Sequence, residues 1–452
     1  MAGPEDDGPP RRAVVRAARL AALPAGHAVR SAAGLGRRLG GRPAEAVAAQ
    51  VQQRTAEQLF ATLGELKGGA MKVGQALSAM EAALPEGLVG PYAQALVRLQ
   101  EAAPALPPAM VHRALDDAFP SGWRRLFQHF DDQPVAAASI GQVHRAVWSD
   151  GSPVAVKVQY PGAGDALVAD LSLLERLTPL MRVAAPGLDA RSLFAELRAG
   201  LTNEVDYVLE ADAQIAFAQA FDGDPDFHVP QVLAVEDRVL ISRWLDGTPL
   251  ATVAAQGSPQ ERDRCGLLLL RLLLSSPGRV GRLHGDPHPG NFRLLPDGRL
   301  GVLDFGATES LPHGWPAALG PLLVATREQD AAGLHAIAVR TGLVRAGRPG
   351  AAALLDLVGP YAEPLRHEEF AFVRPWLQGQ ALRTSDPRTV AAKAQRHLRM
   401  PTRHLLVQRV AVGLAGVLTL LEARVPVADE VRRWVPGYSA GAGALPSPHG
   451  SC

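Results

Sequence analysis

The chain has 452 residues, 47% of them hydrophobic, with 45 Gly and 37 Pro; this supplies a large core and about three domain-sized units at roughly 150 residues each, and excludes a disordered, collagen-like or linker-like chain. Its 46 Lys plus Arg and 45 Asp plus Glu leave a net charge of +1, which is no footprint for nucleic acid, so no nucleic-acid partner is expected. Two cysteines, Cys265 and Cys452, are too few for a disulfide scaffold or a four-thiolate zinc site and point to a reducing, cytoplasmic setting.

Met1 to Pro10 is acidic and rich in Pro and Gly, unlike the start of a secretory signal. Arg11 to Arg42 then carries eight Arg and no Asp or Glu. Residues 1–43 therefore read as a solvated, flexible basic arm, with peripheral attachment to an anionic membrane as the functional alternative. Residues 44–125 are rich in Ala, Leu, Gln and Glu at helical spacing, and the stretch Ala102 to Pro108 splits them into at least two helical parts. Of the 46 Lys and Arg residues only Lys67, Lys72, Lys157 and Lys393 are lysine. A compact ammonium reaches into pockets that a planar guanidinium does not fit, so a Lys inside a motif is informative. In Lys72-Val73-Gly74-Gln75, Lys72 and Gln75 share a helix face, and Gly74 permits close approach of a backbone or ligand. Taken alone, this motif reads as a surface helix.

From about residue 126 to 160 the pattern becomes short β-rich runs. The small-residue stretch Ala136-Ala137-Ala138-Ser139-Ile140-Gly141-Gln142 leads into a strand, then an Asp150-Gly151 turn, then Val154-Ala155-Val156-Lys157-Val158. Alternation puts the three valines on one face and Lys157 on the other, near His144 and beneath the small-residue loop. Residues from about 165 to 220 return to helical spacing. There Asp206 and Glu210 share a helix face while Glu204 lies about 200° around from Asp206, so the acidic cluster can address two partners, with Lys157 one candidate. Strand-like runs follow at Val229 to Val235 and Arg238 to Trp244. After Asp246 the chain is mainly helical to about 436. The apolar runs Leu267 to Leu274, broken by Arg271, and Val410 to Leu421 are shorter than the roughly 18 residues of a membrane span and read as buried helices. Residues 437–452 read as a loose tail.

The exception in this helical half is Leu283-His284-Gly285-Asp286-Pro287-His288-Pro289-Gly290-Asn291, followed by Phe292 to Leu295, Pro296-Asp297-Gly298, and Arg299 to Gly306. Asp-Gly between apolar runs signals a hairpin. With Asp297 and Gly298 as a two-residue turn, Leu295 faces Leu300, Phe292 faces Leu303, and Asn291 faces Asp304. An amide and a carboxylate so opposed suit a hard cation, best Mg²⁺ carrying nucleotide phosphates. Asp286 is then placed to accept a proton or hold a nucleophile near the metal. His-x-Asp-x-x-x-x-Asn followed by Asp-Phe-Gly is the catalytic-loop and metal-loop pair of kinase-like sites. The prolines around His284 and His288 forbid the helix on which a two-histidine zinc motif depends.

Together, Lys72-x-Gly74-Gln75, Ala136 to His144, Val154-Ala-Val-Lys157, Glu204-x-Asp206, His284 to Asn291 and Asp304-Phe305-Gly306 resemble the UbiB/AarF family of atypical kinases, over about residues 60 to 310. The resemblance implies an α+β, bilobal protein-kinase-like fold whose N-terminal helical extension packs over the active site. Residues 44–125 would form that extension, 126–245 an N-lobe and 246–436 a helical C-lobe. It also implies that Glu210 pairs with Lys157, that Ala136 to Gln142 replace the glycine-rich phosphate loop for ATP, and that Asn291 and Asp304 hold Mg²⁺. Asp286 would be the catalytic acid or base, and Lys72 and Gln75 would occupy the protein-substrate position, held by Glu204 and Asp206, which argues against protein phosphorylation. The family links ATP use to isoprenoid-quinone or other lipid metabolism at membranes. Three departures stand out. His288 replaces the usual kinase Lys, Arg243 stands where relatives commonly carry an acid, and no Ala-Pro-Glu follows Asp304-Phe305-Gly306.

Three functions are therefore set against each other. The first is a Mg·ATP-dependent kinase or ATPase acting on, or responding to, a lipid or isoprenoid small molecule. The second is a non-catalytic nucleotide-gated adaptor, and the third a small-molecule phosphotransferase of the aminoglycoside-phosphotransferase type.

Overall fold

The computed structural model describes residues 106–137, 140–162, 206–385, 388–395, 397–398 and 402–439. The basic arm, Lys72, Gln75, Ala138, Ser139, Glu204 and the residues from 440 onward lie outside them.

The first described helix, α1 (Pro108–Ala118), starts on a proline, whose missing N–H would have had no helical partner at that position. It buries Val111, Ala114 and Leu115, which recur at helical spacing. A short 3₁₀ turn leads into a five-stranded antiparallel sheet. Its strands are β1 (Phe127–Ala137), β2 (Gly141–Trp148), β3 (Pro153–Gln159), β5 (Val232–Glu236) and β6 (Val239–Arg243), in the order β1-β2-β3-β6-β5. Val154, Val156 and Val158 are fully buried against α1 together with Val239 and Ile241, each contributing about 1.5–3 kcal/mol of burial. Thus α1, the one described helix from the 44–125 segment, covers the face of the sheet that Lys157 turns away from.

The β2–β3 connection is a three-residue loop. Trp148 N–H donates to Ser152 O at 2.8 Å, Gly151 N–H donates to Trp148 O at 2.9 Å, and Gly151 adopts φ +86°, a conformation that glycine takes without a Cβ penalty. Between β3 and β5 lie helix α2 (Tyr207–Ala220) and the short strand β4 (Phe227–His228). Asp206 caps α2, its Oδ1 accepting from Val208 N at 2.9 Å and Leu209 N at 3.0 Å.

Beyond β7 (Thr248–Pro249) and α3 (Leu250–Gln256), helix α4 (Pro259–Arg279) opens with a capping box between Ser258 and Glu261. Leu268, Leu269, Leu272 and Leu273 of α4 enter a core with Phe217, Phe227, Phe292 and Phe305. Strands β8 (Arg282–His284), β9 (Phe292–Leu294), β10 (Leu300–Val302) and β11 (Thr308–Ser310) follow. They form a small sheet ordered β4-β10-β9-β7 and a separate β8–β11 pair. Of these strands the sequence suggests only the β9–β10 hairpin; pieces of two or three residues have too little alternation to register as strands. The rest is helical: α5 (Leu319–Arg327), α6 (Ala331–Arg340), α7 (Ala351–Val358), α8 (Arg374–Ser385), α9 (Val390–Gln395), α10 (Thr402–Leu420) and α11 (Val427–Trp434), with β12 (Phe370–Ala371) pairing β13 (Arg424–Val425). Among the described residues no helix is long and apolar enough to cross a membrane. Arg271, which interrupts the leucine run of α4, lies inside the lobe and pairs with Asp226 at 2.5 Å and Glu430 at 2.6 Å.

Candidate active site

Strand alternation aims Lys157 at the cleft, where α2 brings it a carboxylate. Its Nζ donates to both oxygens of Glu210 at 2.8 Å and to Asp304 Oδ2, across the cleft, at 3.4 Å. The capping of α2 by Asp206 starts the helix so that Glu210, in its first turn, points inward and is buried. Asp206 and Glu210 thus have different duties: one ends the helix at the surface, the other enters the cleft. The partners proposed for Asp206, Lys72 and Gln75, and its companion Glu204 lie outside the described residues.

Burial alone would lower the Lys157 pKa, but the Asp304 and Glu210 carboxylates outweigh it and raise it well above the ordinary lysine value. Glu210 is pushed up, first by its own burial and then by Asp304, against the pull of Lys157. These shifts point in opposite senses for an ion pair. The bidentate contact decides for a charged Lys157, with one ammonium compensating two carboxylates incompletely. Tyr207 completes this wall: it is fully buried, with its ring centroid 5.0 Å from Lys157 Nζ. A Cβ on residue 141 would lie 2.8 Å from the Tyr207 hydroxyl and 2.4 Å from Val158 O, so Gly141 is required for this contact. No sequence signal marks Tyr207, because its role depends on a contact made across a long separation.

The small-residue stretch is less of a loop than expected. Ala136 pairs with Val143 and Ala137 with Gln142 in the β1–β2 ladder, and Ile140 O accepts from Tyr160 N at 2.8 Å. The Gln142 side chain departs from the expectation that it faces nucleotide. It stands opposite Val158, on the sheet face away from Lys157, where its Oε1 accepts from Leu106 N at 2.7 Å and its Nε2 meets His144 Nε2 at 2.8 Å. His144, opposite Val156, shares that face, so Lys157 lies beside Val143 and not His144. Burial lowers the His144 pKa, and Nδ1 donates to Asp131 O at 2.9 Å. A run of small residues does not reveal where a strand ends, and one step along β2 exchanges the faces.

The β9–β10 hairpin is present, but its register differs by one from the expected pairing. Leu294 faces Leu300 and Phe292 faces Val302. Leu295 N donates to Arg299 O at 2.9 Å around the three-residue loop Pro296-Asp297-Gly298, with Gly298 at φ +82°. The loop repeats the β2–β3 geometry; Asp-Gly here supplies the last two loop residues, not a two-residue turn. Asn291 therefore pairs with Leu303, whose N–H donates to Asn291 O at 2.9 Å, and Asp304 stands one residue beyond.

Asp304 is secured by different means. His284 Nε2 donates to Asp304 O at 2.7 Å, and Asp304 Oδ1 accepts from Gly306 N at 3.0 Å. Burial depresses the His284 pKa, consistent with a neutral imidazole. Asn291 Nδ2 donates to Asp286 O at 3.2 Å, Asp286 Oδ1 accepts from His288 N at 3.3 Å, and His288 Nδ1 accepts from Gly290 N at 3.1 Å. The Nδ2 contact fixes the orientation of the Asn291 amide, with Oδ1 as its acceptor atom. A carboxylate, an amide oxygen and phosphates are the donors Mg²⁺ takes, since that ion binds through one or two carboxylates plus substrate phosphates and needs no all-protein cage. The site fits the ion on donor chemistry.

The connection after Asp304-Phe305-Gly306 is short, only β11 and two turns before α5. Arg243 binds Asp150 in the β2–β3 loop, with Nη2 to Oδ2 at 2.9 Å. The loop hydrogen bonds from Ser152, then the Arg243 guanidinium, hold the Asp150 pKa down to about 2. The basic side chain at the end of β6 is thus engaged by the neighbouring hairpin.

A family model described as ABC1 atypical kinase-like domain matches residues 98–338, more than half of the chain. The chain belongs to the ABC1 atypical kinase-like family. Among ABC1 relatives, atypical kinase coq-8, mitochondrial, of Caenorhabditis elegans is 34% identical over 269 residues, 58% of this chain and 35% of that protein. Atypical kinase COQ8, mitochondrial, of Saccharomyces cerevisiae is 30% identical over 284 residues, 62% of this chain and 55% of that protein. The chain spans less than two thirds of either relative. The solved complex of Rv3197 with erythromycin from Mycobacterium tuberculosis is 43% identical, with a TM-score of 0.65, and covers 88% of this chain and 100% of that one. The fold is accordingly the kinase-like ABC1 arrangement, in which the wall of β3 and α2 faces the His284–Asn291 and Asp304–Gly306 segments.

Proposed function

We propose that this chain is a Mg·ATP-dependent atypical kinase or ATPase that acts on, or is controlled by, a lipid or isoprenoid small molecule. The observation that carries this reading is the pair of Lys157 with buried Glu210, reaching Asp304 across the cleft. A lysine oriented by a helix carboxylate and facing a metal-binding aspartate is an arrangement for holding and polarising a triphosphate.

In this reading the Ala136 to Gln142 segment, with Ala137, Ala138, Ser139, Ile140 and Gly141, lies against the phosphates through its backbone, and Lys157 contacts them. Asn291 and Asp304 would hold Mg²⁺, which neutralises phosphate charge when bound. Asp286 accepts or returns the proton of the attacking group. Lys72 and Gln75, steadied by Glu204 and Asp206, would gate the acceptor position and exclude protein substrates. The basic arm would bring the enzyme to an anionic bilayer.

The test is ATP turnover by the full chain with and without anionic liposomes. It compares wild type with Asp286→Asn and with a deletion of Arg11 to Arg42. We expect turnover stimulated by liposomes, stimulation lost with the arm, and turnover abolished in Asp286→Asn with nucleotide binding retained. Nucleotide binding without phosphate release under every lipid condition would favour the gated adaptor. Transfer to a soluble acceptor without liposomes would favour the small-molecule phosphotransferase. The erythromycin complex of a 43% identical relative supports a second ligand class, a macrolide, so the assay includes erythromycin, with thermal stabilisation as its binding readout.

A further inference from the structure

Helix α10 carries none of the sequence motifs, yet one of its faces holds the loop around Asp286. Arg409 Nη2 donates to Gly285 O at 3.3 Å. That carbonyl belongs to the peptide joining residue 285 to Asp286. The N–H of Gly285 donates to Ala307 O, just after Asp304-Phe305-Gly306, at 2.8 Å. A Cβ on residue 285 would stand 2.2 Å from Ala307 O and 3.1 Å from Arg409 Nη2, so three segments meet where only glycine fits. On the other side of Asp286, Pro287 rests on bare helix backbone, since a Cβ at residue 413 would come within 2.8 Å of Pro287 Cγ. Arg409 and Gly413 are four residues apart and share one face of α10.

We propose that α10 is a positioning element for Asp286, acting through Arg409 and Gly413 on the residues that flank it. Holding the Gly285–Asp286 peptide plane and the Pro287 ring restricts the backbone torsions of Asp286, and with them the direction of its Cα–Cβ bond. A misplacement of about 1 Å can cost a reaction about 10²-fold, so a grip on both neighbours is sufficient to set the rate without touching substrate. Arg409 lies 124 residues along the chain from Gly285, and its helix falls outside the residues 98–338 of the family match.

This inference rests on the proposed role of Asp286, and its test separates the two. ATP turnover, nucleotide affinity and thermal stability are measured on the full chain for wild type, Asp286→Asn, Arg409→Met, Arg409→Lys and Gly413→Ala. We expect Arg409→Met and Gly413→Ala to lower kcat about 10-fold with KM for ATP and nucleotide affinity within about twofold of wild type, and Arg409→Lys to recover part of the loss. Abolished turnover in Asp286→Asn beside wild-type kcat in Arg409→Met and Gly413→Ala would overturn the positioning role. So would a loss of kcat, nucleotide affinity and thermal stability together in both variants, without rescue by Arg409→Lys. Unchanged turnover in Asp286→Asn would overturn the reading of the site itself.

Discussion

Two clusters among the described residues set one cation between two carboxylates, and they are built differently. In the helical lobe, Arg271 uses Nε, Nη1 and Nη2 on Asp226 and Glu430. Its carboxylate partners receive further donors, Arg264 Nη2 at 2.9 Å on Asp226 and Trp434 Nε1 at 3.1 Å on Glu430. In the cleft, Lys157 holds both oxygens of Glu210 at 2.8 Å but reaches Asp304 only at 3.4 Å, and the Asp304 side chain is 34% exposed against 1% for Glu210. The interior cluster surrounds its carboxylates with donors and joins α4 to α11. The cleft cluster gives Lys157 a close contact to buried Glu210 and a longer one to the more exposed Asp304, which supports the proposed role of Asp304 toward a metal and phosphates. The cation types agree: a planar fork for fixed geometry, a compact ammonium for a shared position.

The sharpest separation comes from removing each cation. Arg271→Met leaves Asp226 and Glu430 without their shared partner and should destabilise the fold by about 3–5 kcal/mol in denaturant unfolding, while turnover per folded molecule persists. Lys157→Met should do the reverse. Turnover falls about 10²-fold or more, and the unfolding midpoint moves less than in Arg271→Met, because Glu210, already pushed up by burial, can take a proton. An exchange of these two phenotypes would break the distinction.

A weaker effect is expected with pH. His144 and His284 are both shifted down from 6.5 by burial. Their contribution is complete above the unfolded value and is lost as pH falls through the lower folded values, by up to about 1.4 kcal/mol per pH unit for one group. Thermal midpoints should therefore drop from pH 7 toward pH 5, and His144→Gln should flatten the slope; a midpoint rising toward pH 5 would contradict the burial argument. Smallest is Arg243→Ala, which removes a pair exposed on both sides and should leave the midpoint at the wild-type value.

Much of the cleft is visible in the residue order because its parts are short local patterns. The alternation of Val154, Val156 and Val158 sets the face of Lys157, and His-x-Asp-x-x-x-x-Asn with Asp-Phe-Gly marks the facing segments. The hairpin register was not visible. Asp-Gly serves a two-residue turn as readily as the end of a three-residue loop, and a one-residue difference moves Asn291 from opposite Asp304 to opposite Leu303. Gln142 and Ala136 were hidden for a related reason, since small residues do not announce whether a strand continues through them. Tyr207 and Arg409 gave no signal, and the motif that includes His284 did not show that its ring holds Asp304 O, because each acts by a contact to a segment distant in the chain.

By itself, then, the order of residues determined which chemistry is present, on which side of a strand Lys157 stands, and where the chain turns, all consequences of backbone geometry over a few residues. Only the folded structure decided that Asp304, 147 residues away, also meets that lysine, and which helix grips the loop before Asp286. Such contacts follow from how whole elements pack around a shared core, and no local spacing encodes that.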